Sequence, residues 1–431
     1  MRNFCNVTIK KLSIEIFTFS FIIVALFFRN PLVFMFPAPL SEDFGVFIAQ
    51  EYNTGFPANA FVAYQGYLHL LPRIITWIAM KFDLSSVMTI MNWTVLFIKA
   101  LIFYLIYKSK EINDCLIRVS LLVYLVLLPF PDEIYNNVTN LQWWFIPFMA
   151  MLIAQRERSI FSLTITVCSL VLLGLTGVNS VIFAIPSVYL LAKFRNRNYL
   201  IKCLTIIICA CVQFYFLYTS GRSGNGIIAY NGSIAEIVHL FVNRIIYHTL
   251  FNINYKGFIN FVVLLIYIAV LILNFYIYRK NVFVRFVCLF SVIYTVIIFY
   301  NLLKSSSIHN DVLGYSDERY FVFLRICSFI LLISSLNMLF KFLLSHQNYK
   351  RILAHSCFIL CLVLLKNYHA SLLFYNHDPK LVPIVASEYY DDIRIFKAAK
   401  SGDVVKFDYY YSSNVCGHPE TTPWACVLIK K

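Results

Sequence analysis

Gly66-Tyr-Leu-His-Leu-Leu-Pro-Arg-Ile-Ile-Thr-Trp-Ile-Ala-Met-Lys-Phe82 is the stretch on which the topology of this chain turns. It is apolar enough to suggest a membrane span, yet it is short and carries Pro72 and Arg73 in its interior. Counting it as a span inverts every later loop. The segments 1–12, 108–118, 156–158, 193–202, 279–285 and 341–351 hold 18 of the 36 Lys and Arg, and 15 of those 18 would move to the outer side. Basic residues concentrate in cytoplasmic loops, so the segment reads instead as a helix over 66–82, lying in or dipping into the outer interface. Trp77 and Lys81 then sit near headgroups.

The rest of the chain follows from that reading. Of its 431 residues 60% are hydrophobic and 13% charged, against about 25% charged in soluble domains. The apolar residues come in blocks of about 17–25, the length that crosses a hydrocarbon core. The fold class is an α-helical polytopic membrane protein. Eleven spans are expected, at about 13–28, 85–107, 115–130, 141–154, 160–175, 178–192, 200–218, 258–278, 284–303, 320–340 and 352–368. Arg2, Lys10 and Lys11 precede the first block with no small-residue cleavage site after it, so it reads as a span, not a leader. The net charge of +15 does not imply nucleic acid, because the basic residues are scattered in short loops. Residues 1–369 form the transmembrane domain, with a first outer loop at 29–84 and another at 219–257.

An odd number of spans puts the C-terminus opposite the N-terminus. Residues 370–431 are then a small exported α+β domain. Ser387 is expected to cap a helix running to Lys400, with Glu388 and Asp391 in its first turn and Gly402 past its end. Val404–Tyr411 and Trp424–Lys430 read as paired strands. Of the 12 cysteines only Cys416 and Cys426 fall in an exported segment, which makes them a disulfide candidate.

The outer face collects polar residues that a plain bundle does not need. Glu42 and Asp43 stand side by side shortly after the first span, followed by Tyr64 and Arg73. Asp132 and Glu133 precede Trp143 and Trp144. His239, Arg244 and His248 lie in the later outer loop, and Arg319 opens a late span. Lys99 and Arg325 lie inside spans, where an ionisable group marks a functional site by default. A carboxylate can take a proton from a sugar hydroxyl. Arg, Lys and His can neutralise a phosphate leaving group, and Trp and Tyr can stack on sugar faces.

In architecture the whole chain resembles the polyprenyl-phosphate-dependent glycosyltransferases of the GT-C superfamily, and within it the bacterial serotype-converting O-antigen glucosyltransferases. The resemblance rests on Glu42-Asp43, Gly66-Tyr67 with Pro72-Arg73, Asn137-Val-Thr-Asn140-Leu-Gln-Trp143 and Glu318-Arg319-Tyr320. It implies transfer of a glucosyl group from undecaprenyl-phosphate-glucose to a lipid-linked O-antigen acceptor. The reaction would run on the periplasmic face of a bacterial inner membrane, with the N-terminus cytoplasmic and a companion donor synthase and flippase. Asp43 or Glu42 would be the base; many members have Asp first, whereas here Glu precedes it. Arg73, Arg319 and Lys99 would meet the donor phosphate. Asp132, Glu133, Trp143, Trp144 and Tyr64 would meet substrate. Some members use a divalent cation and others do not, so the metal stays open, and no nucleotide-sugar site is expected.

Two other readings use the same inventory. An O-antigen polymerase or ligase would place catalysis on the outer loop Gly221–Lys256. A lipid-linked sugar flippase would show internal repeats and mid-membrane polar residues in broken helices, and the chain has no clear repeat.

Overall fold

The computed structural model describes residues 2–39, 42–112, 114–128, 137–157, 159–220, 234–251, 255, 257–277, 282–304, 321–343, 362–365, 381–407 and 427–430. The chain is an α-helical membrane protein. Its main helices are α1 Arg2–Arg29, α2 Leu70–Ala79, α3 Val87–Lys108, α4 Cys115–Leu127, α5 Gln142–Ala154, α6 Ile160–Gly174 and α7 Asn179–Phe194. They continue as α8 Arg197–Thr219, α9 Ile234–Phe241, α10 Ile259–Ile277, α11 Val282–Lys304, α12 Val322–Leu343 and α13 Leu381–Ala398. Among the described residues five segments are long and apolar enough to cross a membrane: Leu12–Arg29, Leu84–Lys108, Arg197–Thr219, Ile259–Ile277 and Val322–Phe342. A helix suits this composition because it satisfies every backbone group internally. Pro147 and Pro186 stand inside α5 and α7, as membrane helices tolerate where neighbouring groups satisfy the freed carbonyls.

Sequence punctuation sets the helix ends. The Ser159 and Asn196 side chains accept from the Ser162 and Asn198 amides to start α6 and α8. Arg195 stops α7 in the left-handed region at φ 43°. Every residue of α5 is buried, as expected of a helix that is apolar all round.

Contacts sort the helix ends onto two faces. On one, Lys108 pairs with Glu15 at 2.6 Å and Lys341 with Asp114 at 3.3 Å. There the buried Lys202 ammonium donates to the carbonyls of Leu152, Ile153 and Gln155 and to Glu157. This caps the C-terminal end of α5 with a cation. The opposite face carries the segment between α1 and α3.

On that face α2 is ten residues long, about 15 Å at 1.5 Å per residue, which is half of a ~30 Å hydrocarbon core. It is shorter than the expected 66–82. Gln65 and Gly66 both have positive φ (57° and 84°) and turn the chain back, so that Tyr64 and Tyr67 exchange backbone hydrogen bonds. Gly66 has no room for a side chain either: an added Cβ would stand 2.8 Å from Ser220 Oγ. Trp77 stacks on Phe56, with Lys81 over its ring.

The C-terminal unit consists of α13 and an antiparallel pair, β1 Val404–Lys406 with β2 Val427–Ile429. The rest of the expected strands, 408–411 and 424–426, and Cys416 and Cys426 lie outside the described residues. Ser387 does not cap α13, which begins six residues earlier at Leu381. Pro383 falls in its first turn, where a missing N–H is tolerated. Gly402 does follow the helix, at φ 91°. This unit sits on the acid-pair loop: Phe44 packs on Phe407 and Tyr389, Tyr52 on Phe396, and the Ile429 amide donates to Asn53. Lys397 meets Asp83 at 2.8 Å.

Candidate active site

The acid pair stands at the start of an unusual helix. Asp43–Ile48 is π-helical, with the Ala49 amide bonded to the Phe44 carbonyl, and all six residues are buried. Single π turns are rare and concentrate at functional sites. The turn directs Asp43 inward, 1% exposed, while Glu42 is half-buried. The Thr139 hydroxyl donates to Asp43 Oδ1 at 3.2 Å. Thr139 is itself held by Asn137, whose side chain accepts from the Thr139 and Asn140 amides and starts the turn leading into α5.

Burial pushes the Asp43 carboxyl up to about 8, and the neighbouring Glu42 charge adds to the rise. The Thr139 hydroxyl and the Val138 and Thr139 amides pull the other way. Desolvation wins because a buried charge loses more hydration than a few hydrogen bonds return. A group with a raised value titrates near neutrality and makes a stronger base than an ordinary carboxylate.

Tyr64 joins the acid pair to α2. Its hydroxyl donates to Glu42 Oε1 at 3.4 Å, and Gln65 donates to that hydroxyl at 3.1 Å. The Tyr64 ring lies 5.7 Å from the His69 ring, and His69 is 5.8 Å from Phe47. Arg73 sits over Phe47 at 5.5 Å. One Arg73 nitrogen, Nη2, donates to Gln50 Oε1 and the Val62 carbonyl at 2.9 and 2.8 Å. Arg73 is therefore a clamp on the loop as well as a cation. The stretch carrying His69 is pinned by Gln213, whose amide group bonds the backbone of Leu68, Gly174 and Gly177.

The other expected site residues are placed differently. Trp144 is fully buried and packs edge-on to Phe103 at 4.9 Å; Trp143 is 8% exposed and donates to Asn140. Both begin a helix surrounded on all sides. Lys99 is buried twelve residues into α3, about 18 Å from its start, beside the Arg29 cation. Arg29 donates to the Val126 and Leu128 carbonyls. Asp132, Glu133 and Arg319 lie outside the described residues. A second cluster joins α12 to the π-helical turn Val242–Tyr247: Arg325 Nε donates to the Arg244 carbonyl at 2.7 Å, with His248 3.4 Å from Nη2.

Thr139, His69 and Gln213 were not singled out from sequence. Gln213 carried a signal, being a polar residue inside an apolar span. Thr139 lay within the Asn137–Trp143 motif without an evident role. Among the described residues no three His, Cys, Asp or Glu side chains gather as a metal site. Compared with protein-family models and with curated proteins, the chain matches none.

Proposed function

We propose that this chain is a lipid-phosphate-sugar-dependent glycosyltransferase acting on the outer face of a bacterial inner membrane. The observation that carries the reading is Asp43: a buried carboxyl, titrating near neutrality, beside a second acid and contiguous through Tyr64, His69 and Phe47 with Arg73. In the proposed step an acceptor hydroxyl attacks the anomeric carbon and its proton passes to Asp43. The bond from that carbon to the donor phosphate oxygen breaks, and the polyprenyl phosphate leaves as an anion balanced by Arg73. Glu42 keeps Asp43 poised by charge repulsion and is the alternative base. The sugar is taken as glucose and the acceptor as a lipid-linked O-antigen by resemblance. A donor synthase and a flippase would supply the donor, and a divalent cation remains open.

The topology that fits is eleven spans, N-terminus cytoplasmic and C-terminus periplasmic. Its support is parity. α12 ends on the Lys108 face, where Lys341 meets Asp114, while α13 packs on the acid-pair face. The end of α12 and the helix α13 thus lie toward opposite faces, and the sequence reading places the span 352–368 between them.

The test is expression with donor supply in a host of defined O-antigen, followed by linkage analysis of the glycan. Near-normal transfer by Asp43→Asn with Glu42→Gln would sink the mechanism. The Arg325–Arg244–His248 cluster favours the polymerase or ligase reading as runner-up. Loss of activity on changing Arg244 but not the acid pair would establish that reading instead.

A further inference from the structure

His69 is the most conspicuous buried polar group outside the acid pair. It is 0% exposed, and its ring nitrogens have no side-chain partner, only the Tyr64 backbone. One turn along the same helix Arg73, 1% exposed, leaves Nε and Nη1 without partners. A buried polar group left unpaired is costly, so two spare guanidinium nitrogens one turn from an imidazole with no side-chain partner are an expensive arrangement for structure alone. The turn is also the N-terminus of the ten-residue α2, with His69 at the cap position and no side-chain cap bond. Its Leu70 and Leu71 amides are already bonded to the Leu175 carbonyl and Thr176 Oγ1, so what this end offers an anion is the positive end of the helix dipole and the two side chains.

We propose that this turn is an oxyanion subsite, in which His69 and Arg73 together hold the phosphoryl oxygens of the lipid-linked donor. The inference rests on the donor reading above and makes His69 a substrate-binding residue. The backbone fixes its position, since Leu70 N–H bonds the Leu175 carbonyl and Gly177 N–H the Leu68 carbonyl. Tyr64 and Tyr67, both partly exposed, cover the ring from the solvent side. Rotation of the Tyr64 ring away from His69 opens the subsite beside Glu42, so the phosphate and the acid pair meet the two ends of one donor. Burial and the Arg73 charge push the imidazole down to about 3 against a bond to the Tyr64 backbone, so the one N–H of the neutral ring turns from that backbone to the phosphate without adding a competing cation.

The test reads binding, not transfer. The full-length protein in lipid nanodiscs is titrated with a polyprenyl phosphate, with a polyprenol of equal length and with inorganic phosphate. Wild type is expected to bind the phosphate at least about tenfold tighter than the polyprenol. His69→Phe, whose ring fits among Tyr64, Tyr67 and Phe47, is expected to erase that margin while leaving polyprenol binding intact. A wild-type readout that needs no variant fold is ¹⁵N-histidine NMR: the His69 signal moves on adding the polyprenyl phosphate and not the polyprenol. An unmoved signal, or an undiminished margin in folded His69→Phe, overturns the subsite. Inorganic phosphate binding as tightly as the lipid overturns the lipid assignment. Phosphate-dependent binding through His69 without any sugar transfer would leave the subsite standing and remove the transferase reading. Transfer with an unchanged margin in His69→Phe does the reverse.

Discussion

Replacing Asp43 with Asn separates stability from catalysis because the two respond to pH in opposite directions. The amide keeps the shape and can still accept from the Thr139 hydroxyl, 3.2 Å away in wild type, but it cannot titrate. In wild type the native carboxyl rises from 3.8 to about 8. Between those values the folded state binds more protons than the unfolded one, so this group's contribution makes stability fall as pH rises through the window. The gap corresponds to an upper limit of roughly 5–6 kcal/mol at about 1.4 kcal/mol per tenfold. Asp43→Asn should therefore match wild type near pH 4 and become the more stable protein by several kcal/mol above pH 8. Catalysis runs the other way. The base must be ionised, and at pH 7 roughly one site in ten is. Transfer should rise nearly tenfold per pH unit up to about 8 and level off above it, whereas an ordinary carboxylate would level off near 5. The variant should lose about 10²–10⁴-fold. Thermal unfolding of both proteins and initial transfer rates, each measured from pH 5 to 9, give the two curves. A wild-type rate already flat above pH 6, or a variant within about tenfold of wild type, would refute the assignment of Asp43 as the base.

Tyr64→Phe removes the hydroxyl that donates to Glu42; at about 0.5–1.5 kcal/mol for such a bond transfer should fall by about tenfold or less, with little change in thermal midpoint. Phe44→Ala empties the contact between the acid-pair loop and Tyr389 and Phe407, a loss of about 3–5 kcal/mol. Limited proteolysis should then cleave the C-terminal unit faster than in wild type, and unchanged cleavage would show that docking does not depend on this ring. Lys202→Met strands the buried Glu157 carboxylate and should destabilise by about 3–5 kcal/mol. Adding Glu157→Gln should restore part of the thermal midpoint; no recovery would mean that the carbonyl contacts, not the ion pair, carry the effect.

Helix positions were legible wherever hydropathy alone decides them. Nine of the expected segments coincide within a few residues with the helices α3–α8 and α10–α12, and 13–28 lies inside the longer α1; five of these helices are long and apolar enough to cross a membrane, where an apolar run has only the helix to satisfy its backbone. The short α2 was legible as a non-spanning segment from Pro72, Arg73 and the basic loops. Its true start was not, because the Gln65-Gly66 turn depends on Ser220 and on the Gln213 bonds, which come from residues about 150 positions away.

The candidate site divides along the same line. The adjacent acids, Tyr64 and Arg73 are residue types that sequence brings into view. Sequence does not show that Asp43 turns inward on a π-helical segment and Glu42 toward Tyr64, in a turn whose Phe44 packs against Phe407 and Tyr389 from the far end of the chain. Nor does it separate Trp143 and Trp144 from an aromatic belt, since only the surrounding helices bury them. Composition and periodicity by themselves determined a helical membrane protein with an acid pair beside its first span. Tertiary structure alone decided which acid is desolvated, and that Thr139 holds it. It also buried His69 and Arg73 nearby, the guanidinium with nitrogens left over, because burial and contact between distant segments are properties of the packed chain and not of any stretch of it.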